Sequence, residues 1–315
     1  MDTNEYELSK LATEYGIKYI YDTEDALLEN PEIDAVYIAS PVSFHKDQAI
    51  KTLKAGKHLL LEKPLGLDVA ESEEIRAYVN KTELKAGAAM VMRHHDGHRK
   101  IKDLIQSGKL GNIVSSRAQL TCWFPDLPGN WRQIKSQSGG GSLMDMGIHC
   151  IDLLQFLLND SVESVCGYIS TKEFSYEVED SASILFKMKK GTVCYVDSYF
   201  NIPDAAAKCL LEIYGTKGSI IAGGTIGQDG GGEIKLTISD QSGGYESMQQ
   251  RNEEILNTKL EYDKKNIYAK QIESFSDCIL CDLQPDTTIE EAHEEMLIIE
   301  AMYKAASQGI TVRCD

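Results

Sequence analysis

The sequence predicts an α/β fold in which a parallel sheet is followed by a second domain with a large, mostly antiparallel open sheet. Helical and strand-like segments alternate from Asn4 to about Val91, and the apolar run at 35–39 is typical of a parallel strand buried on both faces. From about residue 113 onward, longer β-rich runs are separated by turns such as Lys190-Gly191, as in antiparallel sheets. We therefore expect two domains, at residues 1–93 and 94–315.

In the first domain, each predicted helix lies between predicted strands. Helical periodicity begins near Glu5 and stops at Gly16, and glycine is the residue that most often follows the C-terminus of a helix. The expected helices are 5–15, 24–29, 45–55 and 68–80, and the expected strands are 17–21, 35–39, 58–61 and 88–92. This alternation implies right-handed crossovers between parallel strands.

The second domain is predicted to combine β-rich runs with four helices. The expected helices are 97–107, 142–158, 266–280 and 289–306, and the clearest strands are 183–188, 192–199, 209–214 and 233–238. The glycine-rich stretch 223–232 precedes a strand, so it is interpreted as a turn; a phosphate cradle would open a helix.

Composition excludes several classes of partner. A net charge of -17 over 315 residues argues against nucleic acid and anionic membranes as partners. No apolar stretch is expected to span a bilayer, and the polar N-terminus lacks a signal-peptide pattern. We expect a cytoplasmic protein whose eight cysteines are reduced. Cys278 and Cys281 have redox or zinc spacing without a second pair, which favours a role in a helix core.

A lysine stands where the apolar run at 58–61 ends. It is Lys63, between Glu62 and Pro64, and the proline stops the strand there. In open α/β sheets, ligands bind at the carboxyl ends of the strands, where a lysine can donate to a hydroxyl or carbonyl oxygen. A single lysine could equally be a solvated surface group, but this position favours a function.

Two neighbouring strands also end in polar groups. Ser40 and Pro41 follow the run at 35–39, with His45 just beyond, and Arg93 follows the run at 88–92. Because the carboxyl ends of parallel strands share one edge of a sheet, we expect these residues near a common cleft.

A histidine-rich stretch follows Arg93 and could suggest a metal. It contains His94, His95, Asp96 and His98, whose spacing fits no strong metal pattern. We therefore predict no metal site.

The predicted helix at 142–158 carries an unusual polar stripe. Asp145, His149 and Asp152 share one face of an otherwise apolar helix, which must point to solvent or to a site. A histidine beside a carboxylate is a plausible general base. The same sequence also fits a capping box from Ser142 to Asp145, which would give Asp145 a purely structural role. Taken alone, the motif leaves both interpretations open.

With these motifs in order, the chain resembles the Gfo/Idh/MocA family of NAD(P)-dependent oxidoreductases over nearly its whole length. The segments that carry the resemblance are 33–45, 55–64, 108–111, 139–152 and 214–218. The resemblance implies a Rossmann fold for the first domain and an open sheet in the second whose face forms homodimers or homotetramers. It also implies NAD or NADP as cofactor, and sugars, inositols or related polyols as substrates.

The resemblance assigns roles to individual residues. It implies that Lys63 is the catalytic lysine, that His149 is the general acid/base, and that Asp145 is the carboxylate working with it. The residues implied near the cofactor are Ser40, Pro41, His45, Glu62 and Lys63. Those implied near the substrate are Lys63, Arg93, Asp145 and His149.

The sequence departs from the family at its start, where no strand and no G-x-G-x-x-G turn precede the first helix. We expect an N-terminally incomplete Rossmann-like sheet that lacks about 30 residues. Asp2 would then be the carboxylate that binds the adenosine ribose. A carboxylate at that position favours NAD over NADP as the cofactor. The chain could begin at an internal methionine, be a natural short form in which the strand at 17–21 closes the gap, or receive the unit from a second chain. The first explanation is favoured.

Loss of that unit would leave the backbone edge of the strand at 35–39 open and would remove the helix N-terminus that holds a pyrophosphate. Two functional hypotheses therefore stand. The presence of Lys63, Asp145 and His149 together favours a dehydrogenase. The missing turn favours impaired cofactor binding, and so a non-catalytic protein that binds a sugar-like ligand or serves as an oligomer subunit.

Overall fold

A computed structural model describes residues 1–239 and 256–314, which form the predicted α/β fold around two sheets. The strands of the small sheet are β1 (Ala35–Ile38), β2 (His58–Glu62) and β3 (Ala86–Ala89). The strands of the large sheet are β4 (Ile113–Thr121), β5 (Val162–Ser170), β6 (Ser181–Met188), β7 (Val193–Tyr199), β8 (Leu210–Gly215), β9 (Gly218–Gly223), β10 (Glu233–Ile238), β11 (Leu256–Lys259) and β12 (Val312–Arg313).

The helices lie largely where their periodicity predicts them. They are α1 (Glu5–Tyr15), α2 (Glu24–Leu28), α3 (His45–Lys54), α4 (Val69–Val79), α5 (Asp96–Gln106), α6 (Lys135–Ser138), α7 (Ile148–Leu158), α8 (Ile267–Leu280) and α9 (Ile289–Gln308). The predicted ends of α1 are confirmed, since the Asn4 side chain caps its first turn and Gly16 follows it with a left-handed backbone. Within α1 itself, no residue is buried.

The small sheet is parallel, in the order β1-β2-β3, so its carboxyl ends lie at one edge. Leu59 and Leu61 lie on one face of β2 and are fully buried, and Leu60 on the other face is 4% exposed, as a central strand covered on both faces requires. Lys63 follows directly after this strand, at the carboxyl edge.

One face of β1 is more exposed than expected. Ala35 is exposed and Tyr37 is 37% exposed, so the prediction that this strand is buried on both faces was wrong. The segment at 17–21 is not a strand, and Lys18 and Tyr19 instead bind Glu32 at the surface. The idea that this segment closes the sheet was therefore wrong, because an apolar run becomes a strand only where a partner strand is available.

The strand predicted at 88–92 ends earlier than expected. It ends at Ala89, and a 3₁₀ turn at Val91–His94 takes up the rest of the predicted segment. The Arg93 N–H closes this turn on the Met90 carbonyl oxygen at 3.1 Å. The turn leaves the Arg93 side chain only 7% exposed.

The large sheet is mostly antiparallel, as predicted. Its order is β11-β10-β9-β8-β4-β7-β6-β5-β12, and β4 and β7 are its parallel pair within the described residues. Side chains alternate between its two faces. Residues such as Ile184, Val196 and Leu211 are buried on the face that α7 and α9 cover.

The core continues from one sheet to the other. Helices α8 and α9 follow the large sheet in sequence, yet α8 packs on the 3₁₀ turn after β3 and α9 packs on α4. The segment Lys135–Leu158 is long and apolar enough to be a candidate membrane span, but 72% of its most apolar window is buried inside the protein. The division at residue 93 stays a prediction.

A buried ion cluster joins the turn after β3 to α7 and α9. Arg93 Nε donates to Asp152 Oδ1 at 2.7 Å, and its Nη1 donates to Glu291 Oε1 at 3.0 Å. Glu295 is 1% exposed and lies 3.9 Å from Arg93 Nη2. Asp152 thus points into the core, and the expectation that it extends the stripe of Asp145 and His149 was wrong, because Arg93 compensates its charge inside the protein.

Glu295 holds its proton more tightly than an ordinary carboxyl. Burial and the neighbouring Asp152 carboxylate raise the pKa of Glu295, while Arg93 opposes the rise. Asp152 and Glu295 are both 1% exposed, whereas the third carboxylate, Glu291, is 45% exposed. One guanidinium shared among them cannot balance two buried negative charges, so protonation of Glu295 is the least costly arrangement.

Replacement of Glu295 by glutamine should flatten the pH dependence of stability. The pKa of Glu295 is higher in the folded chain than in the unfolded chain. As the pH rises above the usual pKa of a glutamate, the unfolded chain therefore loses a proton that the folded chain still holds. The free energy of unfolding should then fall by up to about 1.4 kcal/mol per pH unit through that window, and glutamine removes this term. Urea unfolding from pH 5 to pH 9 measures it.

The matched control is Glu294→Gln, because Glu294 is the exposed neighbour of Glu295 on α9. The control should keep the slope of the parent protein. An equal slope in Glu295→Gln and the parent would contradict a protonated Glu295.

Candidate active site

Lys63 bridges the small sheet and the helical segment that precedes α7. Its Nζ donates to Asp145 Oδ1 at 2.7 Å and to the Asp145 main-chain oxygen at 2.6 Å. The Lys63 side chain is 11% exposed, and the Lys63–Pro64 peptide bond is cis. The structure thus brings together two residues that lie 82 positions apart in sequence.

Asp145 lies in a π-helical turn, Leu143–Gly147, which runs directly into α7. The Ser142 hydroxyl donates to the Ser198 carbonyl oxygen at 3.1 Å and caps no helix, so the capping-box interpretation was wrong. A π turn inside a helix often marks a functional site. Here it directs the Asp145 carboxylate to Lys63.

Two cations flank the Asp145 carboxylate. Burial acts to raise the pKa of Asp145, but the Lys63 ammonium and the Arg132 guanidinium outweigh it and hold the pKa below its ordinary value. Arg132 Nε lies 3.7 Å from Asp145 Oδ2. Asp145 is therefore an ionised carboxylate at neutral pH, and it fixes the position of the Lys63 ammonium.

His149 follows Asp145 by four residues, in the first turn of α7. Burial, and then the Lys63 ammonium, lower the pKa of His149 to about 3, while the Asp145 carboxylate opposes this. Its Nδ1 is buried and has no hydrogen-bond partner in the described part of the chain. The ring is therefore uncharged at neutral pH and can accept a proton.

Glu62 lies beside Lys63, and two hydrogen bonds hold its carboxyl group. The Tyr37 hydroxyl donates to its Oε1, and its Oε2 accepts from the Lys63 N–H at 3.2 Å. Burial raises the pKa of Glu62. Tyr37 escaped sequence reasoning, because an aromatic residue inside an apolar run gives no sign of a polar contact.

His45 connects the turns that follow β1 and β2. Its Nε2 lies 2.9 Å from the Ser40 carbonyl oxygen, and its Nδ1 lies 2.8 Å from the Pro64 carbonyl oxygen. The Ser40 hydroxyl donates to Gln48 Oε1 at 2.6 Å. These contacts hold Ser40 and Pro41 beside the turn of Lys63, and their contact with a cofactor stays a prediction.

Two predicted site residues make their contacts elsewhere. Asp2 is exposed, and its Oδ1 accepts from the Asn4 N–H at 2.8 Å. Arg93 lies in the buried ion cluster with Asp152, which does not favour a contact with substrate. The predicted roles of Asp2 at the ribose and of Arg93 at the substrate stay untested.

Arg132 is a site residue that sequence reasoning missed. Its guanidinium lies 4.3 Å from the centre of the Trp131 ring, and the Asn130 side chain accepts from its main-chain N–H at 3.0 Å. It lies in a 3₁₀ turn of three residues, Trp131–Gln133, which is too short to show a periodicity. Only the folded chain brings it to Asp145.

The histidine-rich stretch serves the core. His94, His95 and His98 are buried, and the His95 and His98 rings stack 4.3 Å apart. Across residues 1–239 and 256–314, no group of three or more potential ligands could hold a metal ion.

The arrangement suits chemistry on an oxygen atom. Lys63 supplies a fixed positive charge with ammonium donors, and His149 supplies a neutral ring that can take a proton. Charges that are oriented before the reaction stabilise developing charge more effectively than water does. A hydroxyl or carbonyl group placed between these two side chains could exchange a proton while its oxygen gains or loses charge.

Comparison with known proteins gives consistent matches. Residues 1–90 match a family described as "Oxidoreductase family, NAD-binding Rossmann fold", and residues 98–221 match its GFO/IDH/MocA C-terminal domain. The chain is 27% identical to a 1,5-anhydro-D-fructose reductase from Ensifer adhaerens, over 98% of this chain and 88% of the relative. It is 30% identical to oxidoreductase P35 from Formosa agariphila, over 70% of this chain and 68% of that protein.

A solved structure agrees with the fold. The aldose-aldose oxidoreductase of Caulobacter crescentus, in complex with glycerol, is 25% identical and superposes with a TM-score of 0.86. The match covers 98% of this chain and 89% of the other chain.

His149 should stay unprotonated from pH 5 to pH 8. Lys63→Met removes a cation that lowers the pKa of His149, so the pKa should rise but stay below 6.5, because burial is the larger cause. Asp145→Asn should shift the pKa further down. Nitrogen-15 NMR of the imidazole ring measures each midpoint.

Lys54→Met, a change at an exposed lysine of α3, should leave the titration as in the parent protein. A midpoint near 6.5 in the parent would refute the electrostatic description of the site.

Proposed function

Because the chain belongs to the GFO/IDH/MocA family of oxidoreductases, we propose that it is an NAD(P)-dependent dehydrogenase acting on the CH–OH group of a sugar, inositol or related polyol. The observation that carries this proposal is the bond from Lys63 Nζ to Asp145, with His149 one helical turn away, at the carboxyl edge of a parallel sheet. A fixed ammonium beside a neutral imidazole is what a carbinol oxygen needs during oxidation.

The residues at the sheet edge fit a nicotinamide cofactor. Ser40 and Pro41 end one parallel strand, and Glu62 and Lys63 end the next, so hydroxyl, carboxyl and ammonium groups share one edge. When bound, the nicotinamide supplies the hydride acceptor or donor. We propose NAD over NADP on the basis of Asp2, whose carboxylate would bind the ribose.

Lys63 has the main electrostatic role in this proposal. Its ammonium would donate to the substrate oxygen and stabilise the negative charge that develops there. Asp145 holds the ammonium in place through two contacts, at 2.6 and 2.7 Å, so little reorganisation is needed when substrate arrives. The family resemblance also gives Arg93 as a substrate contact, although in this structure its guanidinium binds Asp152 and Glu291.

His149 would take the hydroxyl proton during oxidation and return it during reduction. A pKa of about 3 ensures the unprotonated form but makes the ring a weak base. Most of the stabilisation of the substrate oxygen must therefore come from Lys63, which also lowers the pKa of the hydroxyl beside it.

The names of two similar proteins support the substrate class. One is called a 1,5-anhydro-D-fructose reductase and the other an aldose-aldose oxidoreductase. Both names describe redox chemistry on carbohydrate carbons, so we propose a sugar or polyol here.

We also propose a homo-oligomer through the large sheet. Leu185 pairs with Tyr195 on its open face, and Arg117 and Glu212 separate Tyr195 from Ile221 in the same cross-strand row. The side chains of Leu185, Tyr195 and Ile221 are 37%, 45% and 40% exposed. Tyr168 lies on the same face of β5 and is 84% exposed. Exposed aromatic and aliphatic side chains with charged residues between them, on the open face of a sheet, are suited to packing against a second copy.

Titration with NADH and NADPH, followed by cofactor fluorescence, tests the proposed function. We expect binding, stronger for NADH, and oxidation of a sugar or polyol found by screening. Lys63→Ala and His149→Ala should each lower kcat by about 10²- to 10⁴-fold while circular dichroism stays unchanged. Lys54→Ala is the control and should keep full activity.

Absence of binding at millimolar cofactor would overturn the dehydrogenase proposal and favour the non-catalytic sugar-binding or oligomer subunit. Full activity in Lys63→Ala or His149→Ala would overturn the assigned roles.

Light scattering after size exclusion tests the oligomer. The parent protein should have the mass of a dimer or tetramer, and Tyr195→Glu should lower it by placing a carboxylate beside Leu185 on this face. Tyr6→Glu, a change at a 74% exposed tyrosine of α1, should not. A monomeric parent would contradict the proposal.

A further inference from the structure

We propose that Glu179 is a positioning residue that clamps the start of the site helix, defined as residues 141–149, and so aligns Asp145 and His149 with Lys63. This inference rests on the proposed function only for its kinetic test. Its structural basis is a set of contacts that lie outside the reacting groups.

The Glu179 carboxylate accepts hydrogen bonds from three donors. Its Oε2 accepts from the Gly141 N–H at 2.9 Å, and its Oε1 accepts from the Leu143 N–H at 3.0 Å and from the Tyr303 hydroxyl at 2.9 Å. The first turn of a helix has N–H groups without intrahelical partners. A buried carboxylate satisfies two of them here and complements the positive end of the helix dipole.

The main chain of Glu179 completes the clamp. Its carbonyl oxygen accepts from the Ser142 N–H at 2.9 Å, so three consecutive residues of the site helix bind one glutamate. A Cβ atom on Gly141 would lie 2.0 Å from that oxygen. The glycine therefore permits an approach of the two backbones that no other residue would allow.

Main-chain hydrogen bonds connect the clamped residues, 141–143, to Asp145 and to the residue before His149. The Asp145 N–H donates to the Gly141 carbonyl oxygen at 2.9 Å. The Ile148 N–H, next to His149, donates to the Leu143 carbonyl oxygen across the π turn. A shift of residues 141–143 would therefore move Asp145 away from Lys63 and rotate His149.

Glu179 is suited to this role because its carboxylate is buried and fixed by three hydrogen bonds. It is 8% exposed, and Tyr303 of α9 packs behind it. Burial raises the pKa of Glu179, and the hydrogen bonds from Gly141, Tyr303 and Leu143 oppose that rise. Its neighbour Glu177 is exposed, and its carboxylate accepts from the Lys135 N–H at the start of α6, at 2.9 Å. Glu177 is thus a matched control two positions away.

The test compares Glu179→Gln, Tyr303→Phe and Glu177→Gln. In Glu179→Gln one oxygen becomes an NH₂ group facing an N–H donor. We expect kcat to fall by about 10- to 100-fold, since misplacement by about 1 Å costs up to 10²-fold, with cofactor affinity unchanged. Tyr303→Phe should give a smaller fall in the same direction. Glu177→Gln should stay within about 2-fold of the parent.

An NMR measurement separates this inference from the proposed function. The nitrogen-15 shifts and the pKa of His149 should change in Glu179→Gln and Tyr303→Phe but not in Glu177→Gln, whether or not any turnover is found. Unchanged His149 signals in folded Glu179→Gln, or parent-like kcat, would overturn the proposal. If Glu179→Gln does not fold, the same criteria apply to Tyr303→Phe.

Discussion

The contact between Lys63 and Asp145 is the interaction on which the site depends. It joins the edge of the small sheet to the helical segment that crosses the large sheet, and both side chains are largely withdrawn from water, at 11% and 28% exposure. A partly desolvated ammonium and carboxylate must stay paired, because separating them would leave an uncompensated charge. The electrostatics of His149 follow, since its pKa is set by burial and then by these two neighbours.

The helical segment from Leu143 to Leu158 presents two carboxylates to two different cations. The π turn directs Asp145 to Lys63, while Asp152, seven residues later, points to Arg93 in the core. Each carboxylate is paired with a cation that follows a strand of the small sheet: Lys63 follows β2, and Arg93 follows β3. The helix is therefore held to the small sheet by two ion pairs, and Glu179 holds its beginning to the large sheet.

Local patterns in the sequence predict most helices and strands, but they do not predict which elements or side chains pair with each other. The periodicity of α1 and the run of β2 led to correct elements, because capping and burial of a central strand are encoded locally. The segment at 17–21 has the pattern of a strand but forms none, since pairing depends on what lies beside it. The motifs around Lys63 and His149 pointed to one site. Arg132 and Glu179 could not be found this way, because loop and tertiary contacts alone give them their roles.

The most direct test of the central claim is a double-mutant cycle on Lys63→Met and Asp145→Asn, measured as the free energy of unfolding in urea. If the pair organises the interface between sheet and helix, Lys63→Met removes the nearer of the two cations beside Asp145, and Asp145→Asn removes the carboxylate that binds the Lys63 ammonium. The double change should then cost less free energy of unfolding than the sum of the two single changes. We predict a coupling free energy of at least about 1 kcal/mol. Additive effects, with coupling within about 0.3 kcal/mol of zero, would contradict the account.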